Sequence, residues 1–363
     1  MNDLIIGFNL DDNALGHLTS SVQFGFILGT LTFAIFTIAD RFSPSKVFLI
    51  CAFLGSLFNI AVIWQGNTLF SIISLRFFTG FFLAGIYPVG MKIAADYFEK
   101  GLGKSLGFLV GALVVGTAFP HLLKEMTDAF QWKSVIFVTS LLALLGGILM
   151  VIFVPDGPYR KQAQKLNLSA FFSIFKNQKF RAAAFGYFGH MWELYAFWAF
   201  VPIMLKSYMI ANPQTTFNIP LLSFLIIGIG SLGCVIGGYI ANVVGTKRTA
   251  SIALFLSGAC CLISPFMFTT EFETLFIGFL LFWGVVVVAD SPLFSTLVAQ
   301  NAASEIKGTA LTIVNCIGFS ITIISIQLIS GLRALIDSNS IYIILMLGPI
   351  LGLISLRNRT ASH

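Results

Sequence analysis

Charged residues are scarce in this sequence, at 10% of 363, against roughly 25% in soluble domains. That scarcity excludes an ordinary water-soluble fold, because 57% of the residues are hydrophobic and the mean hydropathy is +0.92. No period-2 alternation of apolar and polar residues runs along the apolar stretches, which argues against an outer-membrane barrel. Histidine and cysteine are few, at four and five residues. No CxxC pair, HExxH run or nucleophile constellation accompanies them, so neither a metal site nor a membrane-embedded enzyme is expected. No GxxxxGK[ST] loop occurs, and ATP is therefore not a fuel bound by this chain. No cofactor is implied. The net charge of +6 is spread over the ends of apolar runs rather than gathered in a basic domain, which argues against a nucleic-acid partner.

What is present is a succession of long apolar runs between polar breaks. Eleven spans are expected near residues 21–39, 46–65, 69–95, 105–126, 134–154, 181–207, 218–242, 249–267, 273–298, 308–332 and 339–356. Each approaches the roughly 20 residues that an α-helix needs to cross about 30 Å of hydrocarbon. Only helices and closed barrels satisfy every backbone hydrogen bond in lipid, so the fold class is an all-α polytopic membrane protein. Cys51, Cys234, Cys260, Cys261 and Cys316 all fall inside spans and read as core packing.

The basic residues report topology. Arg41 and Lys46, Lys100 and Lys104, the loop between the fifth and sixth spans, Lys247 and Arg248, Lys307, and Arg357 and Arg359 fall on one side of the membrane. The other side holds only Lys124, Lys133, Lys206 and Arg333. The positive-inside rule makes the first side cytoplasmic, which gives a multi-pass protein of the inner (plasma) membrane with a cytoplasmic C-terminus. The N-terminus then lies outside, where residues 1–20 carry Asp3, Asp11 and Asp12 but no Lys or Arg. No basic n-region or small-residue cleavage site marks a signal peptide there.

The loop at 155–180 opens with Pro155, Asp156, Gly157 and Pro158, which stop a helix. It separates an N-terminal half, 1–154, from a C-terminal half, 181–363. Within it Leu168, Phe171, Phe172 and Phe175 recur at helical spacing beside Lys176 and Lys179. That pattern suits a helix lying either on the inner membrane surface or against the bundle.

The two halves share landmarks. Ala39-Asp40 matches Ala241-Asn242, Pro88 matches Pro292, and Gly103 matches Gly308, all at an offset of about 200 residues, as expected of a duplicated transporter. Ile38-Ala39-Asp40-Arg41 with Lys46 resembles the loop signature between helices two and three of the major facilitator superfamily. Its second copy is Gly238-Tyr239-Ile240-Ala241-Asn242 followed by Gly245, Lys247 and Arg248. The first copy departs from the pattern at Phe36 and Ser43, where the family has glycines, and the second has Asn242 for the acid. Arg76-Phe77-Phe78-Thr79-Gly80 resembles the family's fourth-helix signature. Gly107, Gly116 and Pro120 resemble only part of the fifth-helix signature of drug antiporters. Gly85-Ile86-Tyr87-Pro88-Val89-Gly90 and Gly186 to Glu193 look like the branch of cyanate-permease-like carriers of small solutes.

The resemblance implies two pseudo-symmetric helical halves and a twelve-helix plan, so one span is expected to be missing before residue 1. It also implies a monomeric secondary carrier, working by alternating access on a small-molecule substrate and embedded in the lipid bilayer. A truncated, non-transporting remnant or membrane sensor of the same fold is the alternative. The signature residues Asp40, Arg41, Lys46, Gly238, Asn242, Gly245, Lys247 and Arg248 take structural or gating roles, and Asp96 is expected to pair with Arg41.

Ionisable groups at bilayer depth are costly and usually face a cavity or a partner. Arg76 and His190 lie about 10–15 Å from their helix starts. Glu193 falls one turn beyond His190, and Asp290 precedes Ser291 and Pro292. In the family's numbering these belong to helices four, seven and ten, which the resemblance implies line the central cavity. Arg76 is expected either to attract an anionic substrate or to counter-charge an acid. His190, Glu193 and Asp290 are candidate proton-pathway groups, since imidazole titrates near neutral pH and a carboxylate out of water can hold a proton. Pairing for structure alone is the competing explanation. Tyr195 and Trp198 share a helix face and form either a cavity wall or ordinary packing. Asn315 bonds either a substrate or a neighbouring helix.

Overall fold

A computed structural model describes residue 8 and residues 14–98, 102–126, 132–160, 174–302, 307–336 and 338–357. The side chains of residues 14, 15, 40, 95, 102, 103 and 307–309 lie outside this description. Among the described residues all regular structure is helical. The helices are α1 (Ala14–Ile35), α2 (Ile38–Arg41), α3 (Pro44–Ala61), α4 (Leu69–Leu83), α5 (Tyr87–Tyr97), α6 (Leu102–Met126) and α7 (Trp132–Phe153). They continue with α8 (Gln178–Ala211), α9 (Ile219–Gly228), α10 (Gly230–Val244), α11 (Thr246–Met267), α12 (Glu273–Ala289), α13 (Ser291–Asn301) and α14 (Lys307–Leu335). A 3₁₀ helix (Asn339–Met346) runs into α15 (Leu347–Leu356).

Eleven of these stretches, taken across their breaks, are long and apolar enough to cross a membrane. Exposure agrees with lipid contact. On α7 the exposed side chains include Phe137, Leu141, Leu145, Leu149 and Ile152, an apolar stripe at helical spacing that water would not tolerate. The first span runs from Gly16 to Ile35, earlier than hydropathy placed it. Its helix ends because Thr37 takes a left-handed backbone, with φ 50 and ψ 39. That is costly for a β-branched residue, by about 1–3 kcal/mol.

Two spans break at the prolines that matched between the halves. The third divides into α4 and α5 with Pro88 in the first turn of α5, and the ninth into α12 and α13 with Pro292 in the first turn of α13. Proline fits the first turn because its missing N–H has no helical partner there anyway. The same punctuation therefore does the same work twice, and in the ninth span it leaves Asp290 at the joint.

The chain divides into two compact units: residues 1–102 with 123–168, and residues 103–122 with 169–363. In the first unit α1 and α4 cross at small residues. A Cβ on Gly80 would overlap the Val22 carbonyl, and one on Gly25 would overlap the Phe77 carbonyl, so the backbones meet as glycine-lined membrane helices do. In the second unit Gly189 of α8 and Gly348 of α15 face each other in the same way. Gly80→Val is expected to lower the thermal unfolding midpoint of the detergent-solubilised protein by at least the equivalent of the 1–3 kcal/mol typical of overpacking, about that range or more, because the obstructing atom is backbone. An unchanged midpoint would show that α1 and α4 do not cross there.

Candidate functional site

Each unit carries a polar centre among apolar helices. In the first unit Arg76 on α4 donates through Nη1 to Asn59 Oδ1 on α3 at 3.0 Å. Asn59 in turn donates through Nδ2 to Ser140 Oγ on α7 at 3.0 Å. Ser56 reaches the Ser140 carbonyl at 2.9 Å. Every described partner is neutral, and no described carboxylate lies within ion-pair range of Arg76. Among the described residues its buried Nε has no hydrogen-bond partner. A guanidinium at this depth thus holds its charge on one amide oxygen, which leaves donor capacity for an anion.

In the second unit three of the candidate ionisable groups are almost completely buried: His190 and Glu193 at 1% exposure and Asp290 at 0%. His190 Nδ1 of α8 lies 2.8 Å from Asp290 Oδ1 at the α12–α13 joint. The approach is at ion-pair distance but poorly aligned for a hydrogen bond, and among the described residues Asp290 Oδ2 and His190 Nε2 have no hydrogen-bond partner. Asp290 makes this contact from the joint between α12 and α13, just before Pro292.

Glu193 occupies a separate pocket of donors. Trp283 Nε1 of α12 donates to Oε1 at 2.6 Å, and the Cys261 thiol of α11 donates to the same oxygen at 3.3 Å. The Ser257 hydroxyl of α11 lies 2.9 Å from Oε2. Tyr195, half-buried, meets Trp198 and Phe319 with ring centroids 5.2 and 5.3 Å apart. Trp192 points elsewhere and donates to the Ile344 carbonyl at 3.2 Å. Asn315 is buried at 7% exposure, with no hydrogen bond from its side chain among the described residues.

A sequence profile of the major facilitator superfamily matches residues 3–326. The chain belongs to the major facilitator superfamily. It is therefore a multi-pass membrane protein of a family of transporters. No curated protein matches the sequence.

The superfamily's loop signature takes two local forms here. In the second copy Gly245 has φ 99, a conformation that favours glycine, and its carbonyl accepts the Thr249 N–H that starts α11 at 3.1 Å. Gly238 is buried in α10, Lys247 is half-buried, and Asn242 and Arg248 are exposed. The first copy has Phe36 and Ser43 where the family has glycines, and its left-handed residue is Thr37 instead. The Asp40 side chain lies outside the described residues, and Lys46 is exposed.

The expected pairing of Asp96 with Arg41 is corrected. Asp96 pairs with Lys92 at 3.3 Å, one turn earlier on α5, and Arg41 ends the short helix α2 in an exposed position. The 41–46 loop is instead tied to the chain leaving α7. Ser43 Oγ donates to Asp156 Oδ1 at 2.7 Å, Ser45 Oγ donates to the Val154 carbonyl at 2.6 Å, and Arg160, itself paired with Asp156, donates to the Phe42 carbonyl at 2.8 Å. The amphipathic stretch through Leu168, Phe171 and Phe172 lies outside the described residues, as do Lys100 and the Lys307 side chain.

Sequence reasoning missed Asn59, Ser140, Ser257, Cys261 and Trp283. A usable signal existed for two of them: Ser257 and Cys261 are four residues apart and so share one face of α11.

Proposed function

We propose that the protein is a secondary carrier of a small anionic solute, driven by the proton gradient and working by alternating access. Arg76 carries the anion part of this reading: it is a cation at membrane depth whose described partners are all neutral. Small anions of the cyanate and monocarboxylate kind match one guanidinium in charge and size. Glu193 supports proton coupling, because the groups around it can satisfy both its charged and its neutral form, and the 2.8 Å approach of His190 to Asp290 supplies a second candidate proton site. The two halves, 1–154 and 181–363, act as the moving bodies of a monomer in the inner membrane, with the C-terminus in the cytoplasm.

The test is uptake by proteoliposomes of the full chain, using labelled cyanate, short monocarboxylates and inorganic phosphate with and without an imposed proton gradient. At least one anion is expected to accumulate, and an uncoupler should collapse the accumulation. Failure of every anion, together with no gradient-driven flux, would sink the reading. Arg76→Ala is expected to weaken apparent affinity for the transported anion by about 10–100-fold, the value of one charge-assisted hydrogen bond at about 1.5–3 kcal/mol. Arg76→Lys should recover only part of it, since an ammonium cannot reproduce the planar fork. Wild-type affinity in both variants would remove Arg76 from the site.

A further inference from the structure

The Ser257 hydroxyl sits between two acceptors and has one hydrogen. Its Oγ lies 2.9 Å from Glu193 Oε2 and 3.1 Å from the carbonyl of Leu254 on its own helix. It cannot donate to both at once. The two oxygens of Glu193 are also unlike each other. Oε1 faces two groups that donate, the Trp283 N–H at 2.6 Å and the Cys261 thiol at 3.3 Å. An indole N–H can only donate, so a proton on Oε1 would leave it opposed by another hydrogen. Oε2 faces only Ser257 among the described side chains, and a hydroxyl can accept as readily as donate.

We infer that Ser257 is the positioning residue that lets Glu193 hold and release its proton in place, with Oε2 as the atom that carries it. In the carboxylate form Ser257 donates to Oε2. In the acid form Oε2–H donates to Ser257 Oγ, and the serine hydrogen turns to the Leu254 carbonyl. The proton enters from outside the pocket and ends on Oε2, and no heavy atom has to move. Both forms keep every polar group of a pocket that is almost wholly buried satisfied, which is the condition for a carboxyl to change charge inside a membrane without unfolding its surroundings. The other titratable groups near this site are Cys261, which donates to Oε1, its neighbour Cys260 on α11, His190 one turn earlier on α8, and Asp290 at the α12–α13 joint, which approaches His190. Among the described residues the hydrogen bond to Oε2 comes from Ser257.

The inference rests on Glu193 being a proton carrier, and the experiment separates the two claims without needing the substrate. Purified full-length protein in lipid nanodiscs is titrated with pH while the carboxylic-acid C=O stretch is followed by infrared difference spectroscopy. Glu193→Gln identifies which band belongs to Glu193. Ser257→Ala is expected to shift that acid band to higher frequency, as an O–H that has lost its acceptor does, and Ser257→Thr, which keeps the hydroxyl, is expected to leave it in place. Ser257→Cys keeps the size but weakens both hydrogen bonds, so it should give an intermediate shift; it serves as the readout if the alanine variant does not fold. A Glu193 band that ignores all three substitutions overturns the role of Ser257 while leaving the carrier reading intact. No Glu193-dependent acid band at any pH overturns both.

Discussion

Glu193→Gln will abolish gradient-driven accumulation while leaving solute exchange at equal pH and membrane abundance near wild type. The amide has the shape of the acid form. Its oxygen can accept from the Trp283 N–H and the Cys261 thiol, and its NH₂ can donate to Ser257, whose own hydrogen then goes to the Leu254 carbonyl. Only the second N–H of the amide lacks an acceptor among the described side chains, so the cost of the substitution at this buried polar site is confined to one donor. What the variant cannot do is change charge. A carrier whose proton step runs through this group therefore retains its solute cycle and loses its driving force. Proton flux measured with a lumenal pH dye, beside counterflow of the same labelled anion, distinguishes the two. Accumulation that persists in Glu193→Gln would place the coupling proton elsewhere, with His190–Asp290 next in line.

The membrane character of the chain was legible because it depends only on span length and apolarity, which are local. The third and ninth spans carry this further: Pro88 and Pro292, matched from the sequence, each sit in the first turn of the helix after a break. The early end of the first span was not legible. Threonine at position 37 gives no hint that it adopts a positive φ, because the turn that requires it is set by the surrounding packing rather than by threonine's own preference.

The candidate ionisable residues could be picked out one by one, since a charge inside an apolar run is conspicuous by its cost. Their partners could not. His190 and Asp290 meet across 100 positions of sequence, and nothing in either span marks the other. Neutral partners were harder still. Asn59 holds Arg76 and is itself held by Ser140, each from another helix, yet serine and asparagine are common enough in membrane helices to be read as ordinary glue. Cys261 was read with the other cysteines as packing. It is indeed wholly buried, but its thiol also donates to Glu193, a role that depends on which face of α11 meets α8. The Arg41–Asp96 pairing failed for the opposite reason. A family pattern supplied a partner, but a nearer one on the same helix, Lys92, already reaches the carboxylate.

Asp290→Ala is expected to cost about 1–3 kcal/mol of folding stability, the range for leaving a buried polar group without its partner. The residue precedes Ser291 as the cap of α13, but its side chain makes no capping hydrogen bond, so the loss comes from the contact with His190 and not from the helix end. The break itself is held by Pro292, which the substitution leaves in place. His190→Ala alone should also destabilise, because it leaves the Asp290 carboxylate with no partner in a site of 0% exposure. If the two side chains act on each other, the double variant will be more stable than the sum of the single losses, by an interaction energy of about 0.5–3 kcal/mol. Unfolding of the four proteins in one detergent supplies that cycle. Losses that add to within about 0.5 kcal/mol would show that the 2.8 Å approach contributes no energy of its own. The buried histidine and aspartate would then act as two energetically independent groups.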